Sequence, residues 1–124
     1  MYKRQLIDRY IAMWNETDSA RRRDLIAQTW SPGASYVDPA VQGEGHAGID
    51  AMVAAVQQRY PGYRFRLTGP IEAHHDRLRF TWSVAPADGP DYVKGTDFAV
   101  LAADRLQAVT GFFDYVDQAL VAKP

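Results

Sequence analysis

The hydrophobic pattern of this chain changes period near Tyr60, and that change dictates the order of its secondary structure. Up to that point apolar residues recur mainly at helical spacing. Leu6, Ile7, Tyr10, Ile11, Met13 and Trp14 form one stripe, and Leu25, Ile26, Thr29 and Trp30 a second. Ile49, Met52, Val53, Val56 and Tyr60 form a third. Beyond it the period is two. Tyr63, Phe65 and Leu67 alternate with Arg64, Arg66 and Thr68, and Phe80, Trp82 and Val84 with Arg79, Thr81 and Ser83. Helices first and strands afterwards predict an α+β fold. The expectation is three N-terminal helices packed on a curved antiparallel β-sheet that encloses one pocket at its wide end.

Local signals set the boundaries. Residues 15–19 are a polar break in which Asp18 or Ser19 can cap a second helix. Ser31-Pro32-Gly33 ends that helix, because proline cannot continue the hydrogen-bond ladder. A short strand is predicted at 34–38, closed by Pro39, then a glycine-rich loop at 42–48. Pro61-Gly62 stops the third helix. His74-His75-Asp76-Arg77 divides 70–85 into a hairpin, and strands at 92–101 and 106–115 follow. Neither a repeat nor a linker interrupts the 124 residues, so one domain over 1–124 is expected.

Charge and composition narrow the function. Lys+Arg number 14 and Asp+Glu 15, a balance with no general attraction for nucleic acid or an anionic membrane. With no cysteine, the chain has no disulfide, thiolate metal site or cysteine nucleophile. The first residues mix Lys3, Arg4, Asp8 and Arg9 with apolar side chains, unlike a signal peptide. A cytoplasmic protein without nucleic-acid or membrane partners is expected.

Strand parity puts Phe65 and Leu67, and Phe80, Trp82 and Val84, on the inner face. Parity leaves two strands open. Gly95, Asp97, Ala99 and Leu101 oppose Thr96, Phe98 and Val100, while Val109, Gly111 and Phe113 oppose Thr110, Phe112 and Asp114. Apolar residues on both faces imply a second buried surface, and Phe98, Val100 and Phe112 are candidates for a homodimer contact. Asp38 and Asp97 interrupt apolar strands, where a carboxylate is costly unless paired or protonated. Each has a structural alternative: an Asp-Pro turn for Asp38, a structural hydrogen bond or an outward position for Asp97.

Arg9-Tyr10-Ile11-Ala12, Ala34-Ser35-Tyr36-Val37-Asp38-Pro39, the helix over 48–60 and Lys94-Gly95-Thr96-Asp97-Phe98 together resemble the NTF2-like superfamily. That superfamily is the cone fold of nuclear transport factor 2, SnoaL-like polyketide cyclases and ketosteroid isomerase. The resemblance to ketosteroid isomerase implies Asp38 as general base and Tyr10 and a protonated Asp97 as oxyanion donors. The implied activity is isomerisation or cyclisation of a small apolar or aromatic carbonyl compound, with no metal or organic cofactor.

Trp14, Trp30, Tyr36, Met52, Phe65, Trp82 and Phe113 are candidates for the lining, their alternative role being core packing. His46 is a candidate acid/base or substrate-binding group near the cone mouth, or else a solvated loop residue or helix-entry cap. His74 and His75 read as a solvated turn, since neighbouring strand side chains point to opposite faces and cannot share one ion. Arg21-Arg22-Arg23 reads as an exposed helix face. The competing readings are a non-catalytic small-molecule-binding domain and a protein-interaction module.

Overall fold

A computed structural model describes residues 2–118. The first apolar stripe becomes α1 (Tyr2–Asn15), and Leu6, Ile7, Tyr10, Met13 and Trp14 are buried along it. Asp18 caps α2 (Ser19–Thr29), its carboxylate accepting from the amide of Arg21 at 2.9 Å. The helix stops one residue earlier than its apolar spacing suggests. Trp30 is extended and opens β1 (Trp30–Val37), and Pro32 holds Ser31, the residue before it, to extended backbone. Only residues 38–41 separate β1 from β2 (Gln42–Glu44), and α3 (Gly45–Arg59) starts at once. The expected loop at 42–48 is thus a strand and the first turn of a helix.

The remaining strands are β3 (Arg64–Leu67), β4 (Glu72–His74), β5 (Arg77–Ala85), β6 (Val93–Ala102) and β7 (Arg105–Val116). The sheet runs β2-β1-β7-β6-β5-β3, with β4 also on β5. It is not antiparallel throughout. β1 and β7 are parallel, because α3 and the other strands intervene in the chain between them. The sheet is mixed, curved and unclosed.

Asn15 fastens the end of α1 to the edge strand β3. Its side chain donates to the Phe65 carbonyl at 2.9 Å and accepts from the Phe65 amide at 2.8 Å. Arg22 departs from the exposed arginine face expected of it. It is buried, with Nε 2.7 Å from Asp50 and Nη1 donating to Gln57 and to the Glu16 carbonyl, so it ties α2 to α3. The β4–β5 turn brings His74 and His75 together, Nδ1 to Nδ1 at 3.1 Å. The opposite-face argument fails there because His75 has a φ of 50° and leaves the strand geometry. Among the described residues no group of three or more potential ligands could hold a metal ion, and no helix is long and apolar enough to cross a membrane.

The structure resolves the ambiguous parities. Val93, Gly95, Asp97, Ala99 and Leu101 of β6 face the helices and are buried, as are Leu106, Val109 and Gly111 of β7. Phe98 and Phe112 lie on the outer face.

Candidate functional site

Between the helices and the inner face of the sheet lies a cavity of about 340 Å³, roughly the volume of eleven waters in the liquid. Its wall is mostly aromatic and aliphatic. α1 contributes Tyr10 and Trp14, β1 Tyr36, and β3 Phe65. β5 contributes Trp82, β6 Asp97, and β7 Phe113, and Asp38 follows β1. These are eight of the residues singled out in the sequence.

Three others lie elsewhere. Trp30 is fully buried beneath Tyr10, its indole N–H 3.2 Å from the sulfur of Met13. Met52 is buried on the core face of α3. His46 sits in the first turn of α3 with Nε2 2.8 Å from the Trp30 carbonyl, so it holds helix to strand rather than the cone mouth. The start of α3 at Gly45 is what carries His46 away.

The polar groups form two tyrosine–aspartate pairs. Tyr10 Oη lies 2.6 Å from Asp97 Oδ2, and the indole of Trp82 donates to Asp97 Oδ1 at 2.9 Å. Tyr36 Oη donates to Asp38 Oδ2 at 2.6 Å. The amides of Ala40 and Val41 donate to Asp38 Oδ1 at 2.8 and 2.9 Å, an Asp-Pro turn that fixes the carboxyl orientation.

Two glycines make room for this arrangement. A Cβ on Gly95 would lie 2.2 Å from Cζ2 of Trp82, so only glycine lets the indole lie across β6 toward Asp97. A Cβ on Gly111 would meet Asp97 Oδ1 at 2.8 Å, Asp38 Cβ at 3.1 Å and Tyr36 Oη at 3.2 Å. Asp38, Asp97 and Tyr36 therefore converge above one glycine.

Electrostatics follow from burial. Asp97 is 1% exposed. Desolvation raises its pKa to about 6, helped by the nearby charge of Asp38 and opposed by the hydrogen bonds from Tyr10 and Trp82. Burial, then the charge of Asp97, pushes the Tyr10 hydroxyl well above the usual phenol range. Tyr36 is raised in the same way by burial, Asp97 and Asp38.

Sequence reasoning treated Tyr36 and Trp82 only as apolar lining. Their polar ends hold the two carboxyls. Tyr36 could have been found from its place two residues before Asp38 on one strand face. The Trp82 bond needs the β5–β6 register, which pairs Trp82 with Gly95 and so sets it diagonal to Asp97. Arg59, Tyr60, Tyr63 and Tyr92 also line the cavity and carried no motif.

The model of the SnoaL-like domain matches residues 7–110. A solved structure from Agrobacterium tumefaciens, described as a candidate isomerase of the SnoaL-like family, is 44% identical, covering 90% of this chain and 96% of that one with a TM-score of 0.85. A candidate ketosteroid isomerase from Kribbella flavida is 18% identical, over 94% of this chain and 80% of its own, with a TM-score of 0.67. A candidate polyketide cyclase from Sinorhizobium meliloti is 17% identical, over 86% of this chain and 93% of its own, with a TM-score of 0.68. At that identity the last two show the shared NTF2-like fold alone. No curated protein matches the chain. The match over 7–110 and the 44% identity establish that the chain belongs to the SnoaL-like family.

Proposed function

We propose that the protein is an isomerase- or cyclase-type proton-transfer enzyme acting on a small apolar or aromatic carbonyl compound. The supporting observation is the pair of tyrosine–aspartate contacts meeting over Gly111 in an otherwise apolar cavity. Asp38 accepts the proton from the carbon next to the carbonyl. The C–H electron pair moves into the enolate, and the negative charge develops on the carbonyl oxygen.

Tyr10 and Asp97 stabilise that oxygen. With Asp97 protonated, the 2.6 Å contact between them holds two protons, one more than it needs. One proton fills the contact and the other is free to donate to the substrate. With Asp97 ionised, the Tyr10 proton is consumed by the contact. Trp82 holds the other Asp97 oxygen, which keeps Oδ2 toward Tyr10.

The test is exchange of α-protons of aryl methyl ketones in D₂O, followed by NMR. Wild type is expected to exceed buffer, Asp38→Asn to lose about 100-fold or more, and Tyr10→Phe about 100- to 1000-fold. Exchange no faster than in buffer for every ketone contradicts the proposal.

A second reading, ligand binding without catalysis, draws support from one fact. All four carboxyl oxygens of Asp38 and Asp97 already have partners within the chain. It predicts ketone binding with no exchange. The proposal also includes a cytoplasmic homodimer formed through the outer sheet face, where Phe98 and Phe112 pack edge to face.

A further inference from the structure

The cavity is polarised from end to end. Tyr10, Trp14, Trp82 and Asp97 are buried, whereas Tyr60, Tyr63 and Tyr92 are half-buried and Arg59 is exposed. This gradient makes the second group the mouth. Tyr60, Tyr63 and Tyr92 touch one another, with ring centroids 5.3, 5.3 and 5.9 Å apart. The Tyr60 and Tyr92 hydroxyls are 3.3 Å apart. Arg59 lies over the Tyr60 ring, its guanidinium carbon 5.7 Å from the centroid.

Among the described residues Arg59 is the one basic residue of the cavity wall, and it has no carboxylate within ion-pair distance. Arg4, Arg66, Arg77 and Arg79 are paired with acids, and basic residues that share its lack of an ion pair among the described residues, such as Arg23, Arg64 and Lys94, lie off the cavity wall. A cation at the end of α3 also suits the helix dipole. That accounts for a basic residue there, but not for its place on the cavity wall beside a cluster of phenols.

We infer that this rim is the specificity element of the cavity, and that it selects carbonyl compounds bearing a carboxylate at the end remote from the reacting carbonyl. The inference rests on the proposed carbonyl chemistry for the orientation of the ligand. The guanidinium presents several N–H donors in a planar fork suited to a carboxylate. The Tyr60–Tyr92 hydroxyl pair adds one donor, the other proton being held in the contact between them, and the phenol faces pack on the ligand's apolar body. The opposite orientation is disfavoured, since it sets a carboxylate beside Asp38, the base of the proposed reaction.

A matched pair of probes separates this inference from the chemistry. 2-Acetylnaphthalene and 6-acetyl-2-naphthoate differ only in the remote carboxylate. Binding is followed by quenching of Trp14 and Trp82 fluorescence and by calorimetry, and methyl-proton exchange of the same ketones by NMR. Wild type is expected to bind the naphthoate about three- to tenfold more tightly, a preference that shrinks with salt. Arg59→Met, which keeps an apolar stem over Tyr60, is expected to abolish the preference while leaving the neutral ketone within about twofold. Tyr92→Phe removes one hydroxyl and is expected to reduce the preference partially. Equal affinities in wild type, a preference that survives Arg59→Met, or no binding of either ketone overturns the inference. Preference without proton exchange upholds it and defeats the proposed enolisation instead.

Discussion

Tyr10 and Asp97 stand 87 positions apart in the chain, yet their oxygens meet at 2.6 Å at the buried end of the cavity. One comes from the first helix and the other from the sixth strand, so the contact exists only when helix layer and sheet are docked. Burial that stabilises the rest of the core works against the charge on Asp97. Folding and site chemistry are therefore coupled through this carboxyl.

The coupling has a sign. The folded pKa of Asp97, about 6, lies above its ordinary value of 3.8, so the native state holds this proton more tightly than the unfolded chain. The contribution of Asp97 is most favourable below about pH 4 and worsens as pH rises to 6, by on the order of 3 kcal/mol. Urea unfolding of wild type and Asp97→Asn at pH 4, 5, 6 and 7 measures it. The wild-type stability relative to the variant should fall across that window and level off above it. A pH-independent difference would show that the carboxyl is not held in this way.

The proposed enolisation carries a related pH dependence. If Asp97 must keep its proton to donate, kcat/KM of the free enzyme declines as pH rises through about 6. In Asp97→Asn the amide donates at every pH, so the decline should flatten even though the maximum rate drops. A wild-type limb that persists unchanged in the variant would assign it to another group.

Gly95→Ala and Gly111→Ala should damage the site by different routes. At Gly95 the new methyl meets Trp82 at 2.2 Å and the backbone carbonyl of Phe112 at 2.7 Å, so a strand must move. Thermal unfolding should show a loss of about 1–3 kcal/mol or more. At Gly111 the methyl meets the two carboxyl side chains and Tyr36, so loss of ketone binding should accompany the loss of stability. Wild-type stability and binding in both variants would contradict the packing described.

On the outer sheet face, Phe98 is 43% and Phe112 53% exposed. For the proposed homodimer, Phe112→Glu introduces a charge into the contact, and sedimentation should shift from dimer to monomer with the fold intact. A wild-type protein that sediments only as monomer refutes the dimer.

Much of this architecture was legible in residue order. The stripe from Leu6 to Trp14 and the alternation from Tyr63 to Leu67 identify their elements because one face of each must be buried. Asp38 and Asp97 stood out because a carboxyl in an apolar strand demands a partner. What stayed hidden depends on register and on contacts between distant segments. The Trp82 bond to Asp97 requires knowing that Trp82 pairs with Gly95. The burial of Arg22 requires Asp50 and Gln57 from another helix. His46 and Trp30 were misplaced for a local reason, the start of β1 at Trp30 and of α3 at Gly45.

The central claim is that one carboxyl at the buried end of the cavity keeps its proton well above the ordinary range while sharing a short hydrogen bond with Tyr10. Carbon-13 NMR of aspartate-labelled protein between pH 3 and 8, with Asp97 assigned by its loss in Asp97→Asn, measures this without any knowledge of the substrate. The account predicts an Asp97 midpoint near 6 that moves when Tyr10 is replaced by phenylalanine. A midpoint at its ordinary value of 3.8, unmoved by that substitution, would contradict it.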